Sequence, residues 1–169
     1  MSRIVSNATP LIYLAKIGRL SLLKAVFGEV LVPQEVKAEV VDRGKEIGEV
    51  DAYIVEAALE EGWLKVVKTD PIKIPLQLDA GETAALSLAR KLSVEVLVDE
   101  VSARMAARLM SLTPRGTLYV LLKALEMSEI NLDEFNDALG DLVRNGFRLR
   151  EEVYLEALKK AREIAHNIS

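Results

Sequence analysis

Residues 94–98 constrain the fold more than any other stretch. Val94, Val96, Leu97 and Val98 leave only Glu95 polar, so the strand they predict is apolar on both faces. Such a strand has to lie inside a sheet that is covered on each side, which points to parallel pairing. Three further β-branched runs precede it, at 3–6, 29–32 and 63–67, and helical periodicity fills every interval between them. Right-handed crossovers then place helices on both faces of the sheet. The predicted fold is α/β, a three-layer α/β/α sandwich around a central parallel sheet.

Helices are predicted at 10–16, 20–25, 50–61, 79–92 and 101–109, and another opens at Pro33 and carries Val36 and Val40. The last third is predicted to be helical at 116–127, 131–145 and 151–166, with Asn131 and Glu134 in capping-box relation. Phe135, Leu139, Leu142 and Val143 make one apolar stripe; Tyr154, Ala157, Leu158, Ala161 and Ala165 make another. These stripes are expected to be core, with a share available for a homodimer interface. The absence of linkers and repeats makes residues 1–169 one expected domain, with 131–169 a helical extension packed on it.

Composition removes many chemistries. Without cysteine there are no disulfides, thiolate metal sites or thiol nucleophiles, and a reducing cytoplasmic setting is expected. No apolar run reaches the ~18 to 20 residues of a membrane helix. The net charge of −4 lacks the basic footprint of a duplex-DNA binder, so any nucleic-acid contact has to be local. The single histidine, His166, lies far along the chain from the candidate strand ends, which argues against a Ser-His-Asp relay. Neither a P-loop nor a G-x-G-x-x-G follows the first strand.

Carboxylates remain, at positions where an open α/β sheet forms its ligand crevice. Asn7 ends the first strand, Asp99 and Glu100 end the most apolar one, Glu82 lies in the first turn of the helix before it, and Glu39 follows the second strand. Oxygen donors from separate elements suit Mg²⁺ or Mn²⁺. Local roles compete. Asp79 and Glu82 have capping-box spacing, Asp99 could cap the helix starting near Val101, and Glu39 could pair with Arg43 at i,i+4. Arg104 and Arg108, at i,i+4 after Asp99, and Arg115 are candidate phosphate contacts, while Tyr13 and Tyr119 could stack on bases.

In register, Val5-Ser6-Asn7-Ala8-Thr9-Pro10-Leu11-Ile12, Val32-Pro33 through Glu39, Asp79-Ala80-Gly81-Glu82, Val98-Asp99-Glu100 through Arg104, and Gly116-Thr117-Leu118 resemble a PIN-domain protein over residues 3 to 125. The resemblance implies an acidic cluster that holds Mg²⁺ or Mn²⁺ to hydrolyse phosphodiester bonds of single-stranded RNA. By position, Glu39, Glu82 and Asp99 match cluster members, Glu100 is a neighbour, Thr9 matches a supporting hydroxyl, and the first acidic member falls on Asn7. The implied function is a metal-dependent endoribonuclease, with a toxin partnered by an antitoxin as one role the family supplies. The alternative is a non-catalytic PIN-like module that binds RNA or protein. A small-molecule phosphatase is a third reading, but no D-x-D follows the first strand.

Overall fold

The computed structural model describes residues 2–168. Its centre is a five-stranded sheet, parallel throughout, in the order β3-β2-β1-β4-β5. The strands are β1 (Ile4–Ser6), β2 (Val30–Pro33), β3 (Leu64–Val67), β4 (Glu95–Leu97) and β5 (Pro114–Arg115). Between β1 and β2 lie α1 (Ala8–Lys16) and α2 (Leu22–Phe27). After β2 come α3 (Gln34–Lys37), a π-helical segment (Ala38–Arg43), α4 (Gly44–Glu46) and α5 (Val50–Glu61). Helices α6 (Ala80–Leu92) and α7 (Val101–Leu109) flank β4, and α8 (Thr117–Glu126), α9 (Leu132–Arg144) and α10 (Glu151–Ile168) complete the fold.

Strand alternation divides the interior in two. Ile4, Val30, Val32 and Leu97 point into a core shared with α1, α2, α5, α8, α9 and α10. Val5, Leu31, Val96 and Val98 point the other way, onto the alanine-rich inner faces of α6 and α7. Both faces of the central strands are thereby covered, as the apolar 94–98 run requires. Gly44 permits a close approach between α4 and α5, because a Cβ there would come within 2.8 Å of the Ala52 Cβ.

Strand order also creates the crevice. The chain leaves β1 toward β2 on one side and later returns to β4 on the other, so the space beyond the carboxyl ends of β1 and β4 is a topological switch point. Pairing continues to this rim, with Asn7 N donating to Leu97 O at 2.9 Å and Val98 N to Arg115 O at 2.9 Å.

Two features differ from expectation, a fifth strand and a π-helical segment. The fifth strand pairs Val96 with Pro114 and Leu97 with Arg115 where no strand was predicted. Proline is tolerated there because the strand is at the sheet edge. The helix after Pro33 passes through the π-helical segment, which carries Glu39. The tail stripes are largely spent within the chain, since Phe135, Leu139, Leu142, Ala157 and Ala161 are buried, whereas Val143 is 47% exposed.

Candidate functional site

Asn7 is the N-cap residue of α1 and is only 3% exposed. Its side-chain amide faces Glu100, with Nδ2 3.5 Å from Oε2, and the Thr9 hydroxyl donates to Glu100 Oε1. Asn7 Oδ1 has no hydrogen-bond partner, although it is buried. A buried carbonyl oxygen without a donor is uncommon and marks a place where water or a cation belongs.

That oxygen has company. A Cβ placed on Gly81, the second residue of α6, would lie 3.2 Å from Glu39 Oε1, 3.5 Å from Asn7 Oδ1 and 3.5 Å from Asp79 Oδ1. Three acceptors from the end of β1, the π-helical segment and the N-cap of α6 thus converge over one bare Cα. Glu82 stands beside them in the expected capping box: its backbone N donates to Asp79 Oδ1 at 2.7 Å, and its Oε1 accepts from Asp79 N at 3.0 Å.

The cluster crowds negative charge. Partial burial of the carboxyl head pushes the Glu39 pKa up, and Asp79, Glu100 and Glu82 push it further. Burial likewise raises Glu82, with the charges of Asp79 and Glu100 adding to the effect and the bond from Asp79 N opposing it. The Glu39–Arg43 pair allowed by sequence spacing does not form; Arg43 lies against Glu46 at 3.9 Å instead.

Asp99 has a different environment. The N-cap residue of α7 is Glu100, which makes no side-chain cap bond, so Asp99 does not cap that helix. Its carboxylate instead reaches the start of α8, where Oδ1 accepts from Thr117 N at 2.8 Å and Oδ2 from the Thr117 hydroxyl at 2.7 Å. Gly116 makes room, since a Cβ there would sit 2.9 Å from Asp99 Oδ1 and 3.1 Å from Arg104 Nη1. Burial raises the Asp99 pKa, while its Thr117 bonds and the Arg104 charge hold it down.

The basic residues line the same flank. Arg104 Nη1 donates to Val98 O at 3.1 Å, and Arg108 is exposed one turn further along α7. Arg115 is less available, because it pairs with Glu95 at 3.0 Å and covers the Tyr119 ring at 4.3 Å. Tyr13 packs on Phe147 with ring centroids 5.2 Å apart.

Asn7, Thr9, Glu39, Glu82, Asp99 and Glu100 lie toward one end of the sheet, in two groups, one around Gly81 and one around Gly116. Among the described residues, no group of three or more Asp, Glu or His side chains is arranged to hold a metal ion. An oxygen set that includes the Asn7 amide nevertheless matches the donor preference of a hard cation. Sequence reasoning missed Asp79 as a cluster member and Thr117 as the partner of Asp99. The glycines preceding Glu82 and Thr117 were the available signal, because each leaves space that the oxygens of other elements approach.

The PIN-domain family DUF3368 matches residues 3–163. The chain belongs to the PIN-domain family. This PIN domain has its oxygen cluster at the carboxyl edge of an all-parallel sheet, and the match extends through α9 and into α10. No curated protein matches the chain. Among the described residues, no helix is long and apolar enough to cross a membrane.

The Thr117 contact leads to a direct prediction. Thr117→Val preserves shape but removes the hydroxyl bond to Asp99, a hydrogen bond to a charged group, and should cost about 2 kcal/mol at neutral pH. Asp99 already has a raised folded pKa, so its ionised form opposes folding, and the variant raises that pKa further. The difference between variant and parent should therefore shrink as pH falls through the Asp99 pKa. Urea denaturation across pH 4 to 7 measures it, and a difference independent of pH would rule out this linkage.

Proposed function

We propose that this PIN domain is a metal-dependent endoribonuclease acting on single-stranded RNA. The observation that carries the reading is the convergence of Asn7, Glu39 and Asp79 oxygens over Gly81 at the switch point, with Asn7 Oδ1 buried and unpartnered. Asn7, Glu39, Glu82, Asp99 and Glu100 supply the oxygens that would hold Mg²⁺ or Mn²⁺. When bound, the cation supplies Lewis-acid polarisation of a phosphoryl oxygen and acidification of a water.

The chain's own residues have separate tasks. Thr9 and Asn7 orient the Glu100 carboxylate. Glu39, whose pKa burial and neighbouring carboxylates raise in the metal-free chain, is a carboxylate whose crowding a bound cation would relieve. Arg108, exposed beside the crevice, supplies a phosphate contact, with Arg104 behind it. Specificity for single strands fits a chain whose negative net charge leaves only this local basic flank.

The test is cleavage of an end-labelled single-stranded RNA by the purified chain with Mn²⁺. Cleavage should stop with EDTA and be lost in Glu39→Gln. Equal cleavage by parent and variant, or cleavage that survives EDTA, counts against the assignment. A specific observation favours a second reading, a non-catalytic module that binds RNA: the buried position at the end of β1 carries a neutral amide. Retention of uncut RNA by the parent, with or without Mn²⁺, selects it.

A further inference from the structure

We infer that Lys37 and Asp42 are positioning residues for Glu39: their ion pair clasps the π-helical segment in the register that holds the Glu39 carboxylate over Gly81. The clasp deepens the reading above, since it rests on Glu39 as an oxygen donor, and it brings in two residues outside the oxygen cluster.

The π-helical segment joins two stretches held by packing. Before it, Val36 is fully buried and α3 packs against β2 and α6. After it, Gly44 lies so close to α5 that a Cβ would come within 2.8 Å of the Ala52 Cβ, and Lys45 meets Glu56 of α5 at 2.9 Å. Between these anchors Val40 and Val41 are buried in the core, while Glu39 Oε1 reaches to 3.2 Å from the place a Gly81 Cβ would take. An α-helix turns about 100° per residue, whereas a π turn closes its hydrogen bond over one residue more and absorbs that residue without the added rotation. Rewinding the segment as α-helix would therefore turn one anchor against the other. Both anchors are packed, so the rotation falls on the residues between them, and Glu39 leaves Gly81.

The spacing of the ion pair matches this register. Lys37 Nζ donates to Asp42 Oδ1 at 2.8 Å across five residues. Five residues along an α-helix are about 140° apart around its axis, outside the three- and four-residue spacings at which side chains meet. The i→i+5 closure of a π turn brings them onto one side. Beyond the segment, Arg43 and Glu46 pair at the ordinary i,i+3 spacing. The Lys37–Asp42 pair thus belongs to the π register and is lost in the α register. Both partners are partly exposed, so the pair biases the choice by a small factor rather than dictating it.

Calorimetric Mn²⁺ titration, melting temperatures and amide hydrogen exchange over residues 38–44 test the clasp on the full chain, on Lys37→Met and Asp42→Ala, and on the exchanged pair Lys37→Asp with Asp42→Lys. Charge acting through space moves the two single variants in opposite directions, because losing a cation tightens Mn²⁺ and losing an anion weakens it. A clasp moves them together. Each should weaken Mn²⁺ by about two- to fivefold with little change in melting temperature, and the exchanged pair should recover most of the loss. In the metal-free chain, amide exchange over the segment should quicken in both single variants and return toward the parent's in the exchanged pair. Opposite shifts in affinity, an exchanged pair no better than the single variants, or Mn²⁺ binding indifferent to all three overturns the clasp and leaves the cation reading standing. A parent that binds no Mn²⁺ removes the cation reading instead, and amide exchange then decides the clasp: the stated pattern supports it, and exchange unaltered in every variant overturns it.

Discussion

Replacing Phe135 with alanine is expected to lower the free energy of unfolding by about 3–5 kcal/mol. Phe135 is fully buried in α9, in the core that joins α8, α9 and α10 to one face of the sheet. An aromatic side chain removes some 150–250 Å² from water, and truncation adds a cavity that packed neighbours fill only in part. The rest of α9 has little to offset this. Its capping box fixes where the helix starts, and Arg19 meets Glu134 at 3.3 Å, but solvent screens a pair this exposed and it adds little. The loss should appear as a lower urea midpoint in one cooperative transition, because the Phe135 core also includes Ile4 and Leu97 of the central strands. A change below about 1 kcal/mol, or a separate early transition for the tail, would show that residues 131–169 fold as an accessory.

The parts of this fold that were legible in the sequence are those where one residue pattern serves one purpose. Val96 and Val98 pack on one face of β4's chain and Leu97 on the other, so the 94–98 run reported a doubly covered strand directly. Asn131 and Glu134 form their capping box because both partners are local. The fifth strand was hidden for the opposite reason. Pro114 and Arg115 have no β-branched run, and they are a strand only because β4 offers them an edge. The π-helical segment was equally hidden, since Ala38–Arg43 contains nothing that separates it from an ordinary helix.

The site divides in the same way. The candidate oxygen groups could be picked out by their places at strand and helix ends, but the groups they meet could not. Asp99 looked like a cap for the helix that follows it and instead caps one that starts 18 residues later. Asp79 looked like a cap and nothing more, yet its Oδ1 also faces the Asn7 and Glu39 oxygens. Spacing along a chain reports neighbours within one helix; contacts across the switch point depend on strand order, which the residues of a single element do not encode.

Asn7→Asp should change both metal affinity and stability, in opposite directions. In the parent, Asn7 Nδ2 faces Glu100 Oε2 at 3.5 Å, so the substitution sets a carboxylate oxygen against a carboxylate at a position only 3% exposed. Two unit charges at ~4 Å interact by about 4 kcal/mol at an effective dielectric of 20, and partial protonation relieves part of this. The metal-free variant should lose about 2 kcal/mol of stability at neutral pH. The new aspartate would have a raised folded pKa, so this loss is greatest above that pKa and fades as pH falls through it. A divalent cation reverses the balance, because the charge that repels Glu100 attracts the ion. Mn²⁺ affinity should tighten at least tenfold, equivalent to ~1.4 kcal/mol, and cleavage of single-stranded RNA should rise in parallel. Calorimetric titration with Mn²⁺, thermal melts with and without the ion, and initial cleavage rates measure the three effects. An unaltered Mn²⁺ affinity beside an unaltered metal-free melt would mean that position 7 faces neither the cation nor Glu100. Tighter Mn²⁺ binding without faster cleavage would leave cation binding at position 7 standing and turn the functional reading to the RNA-binding module.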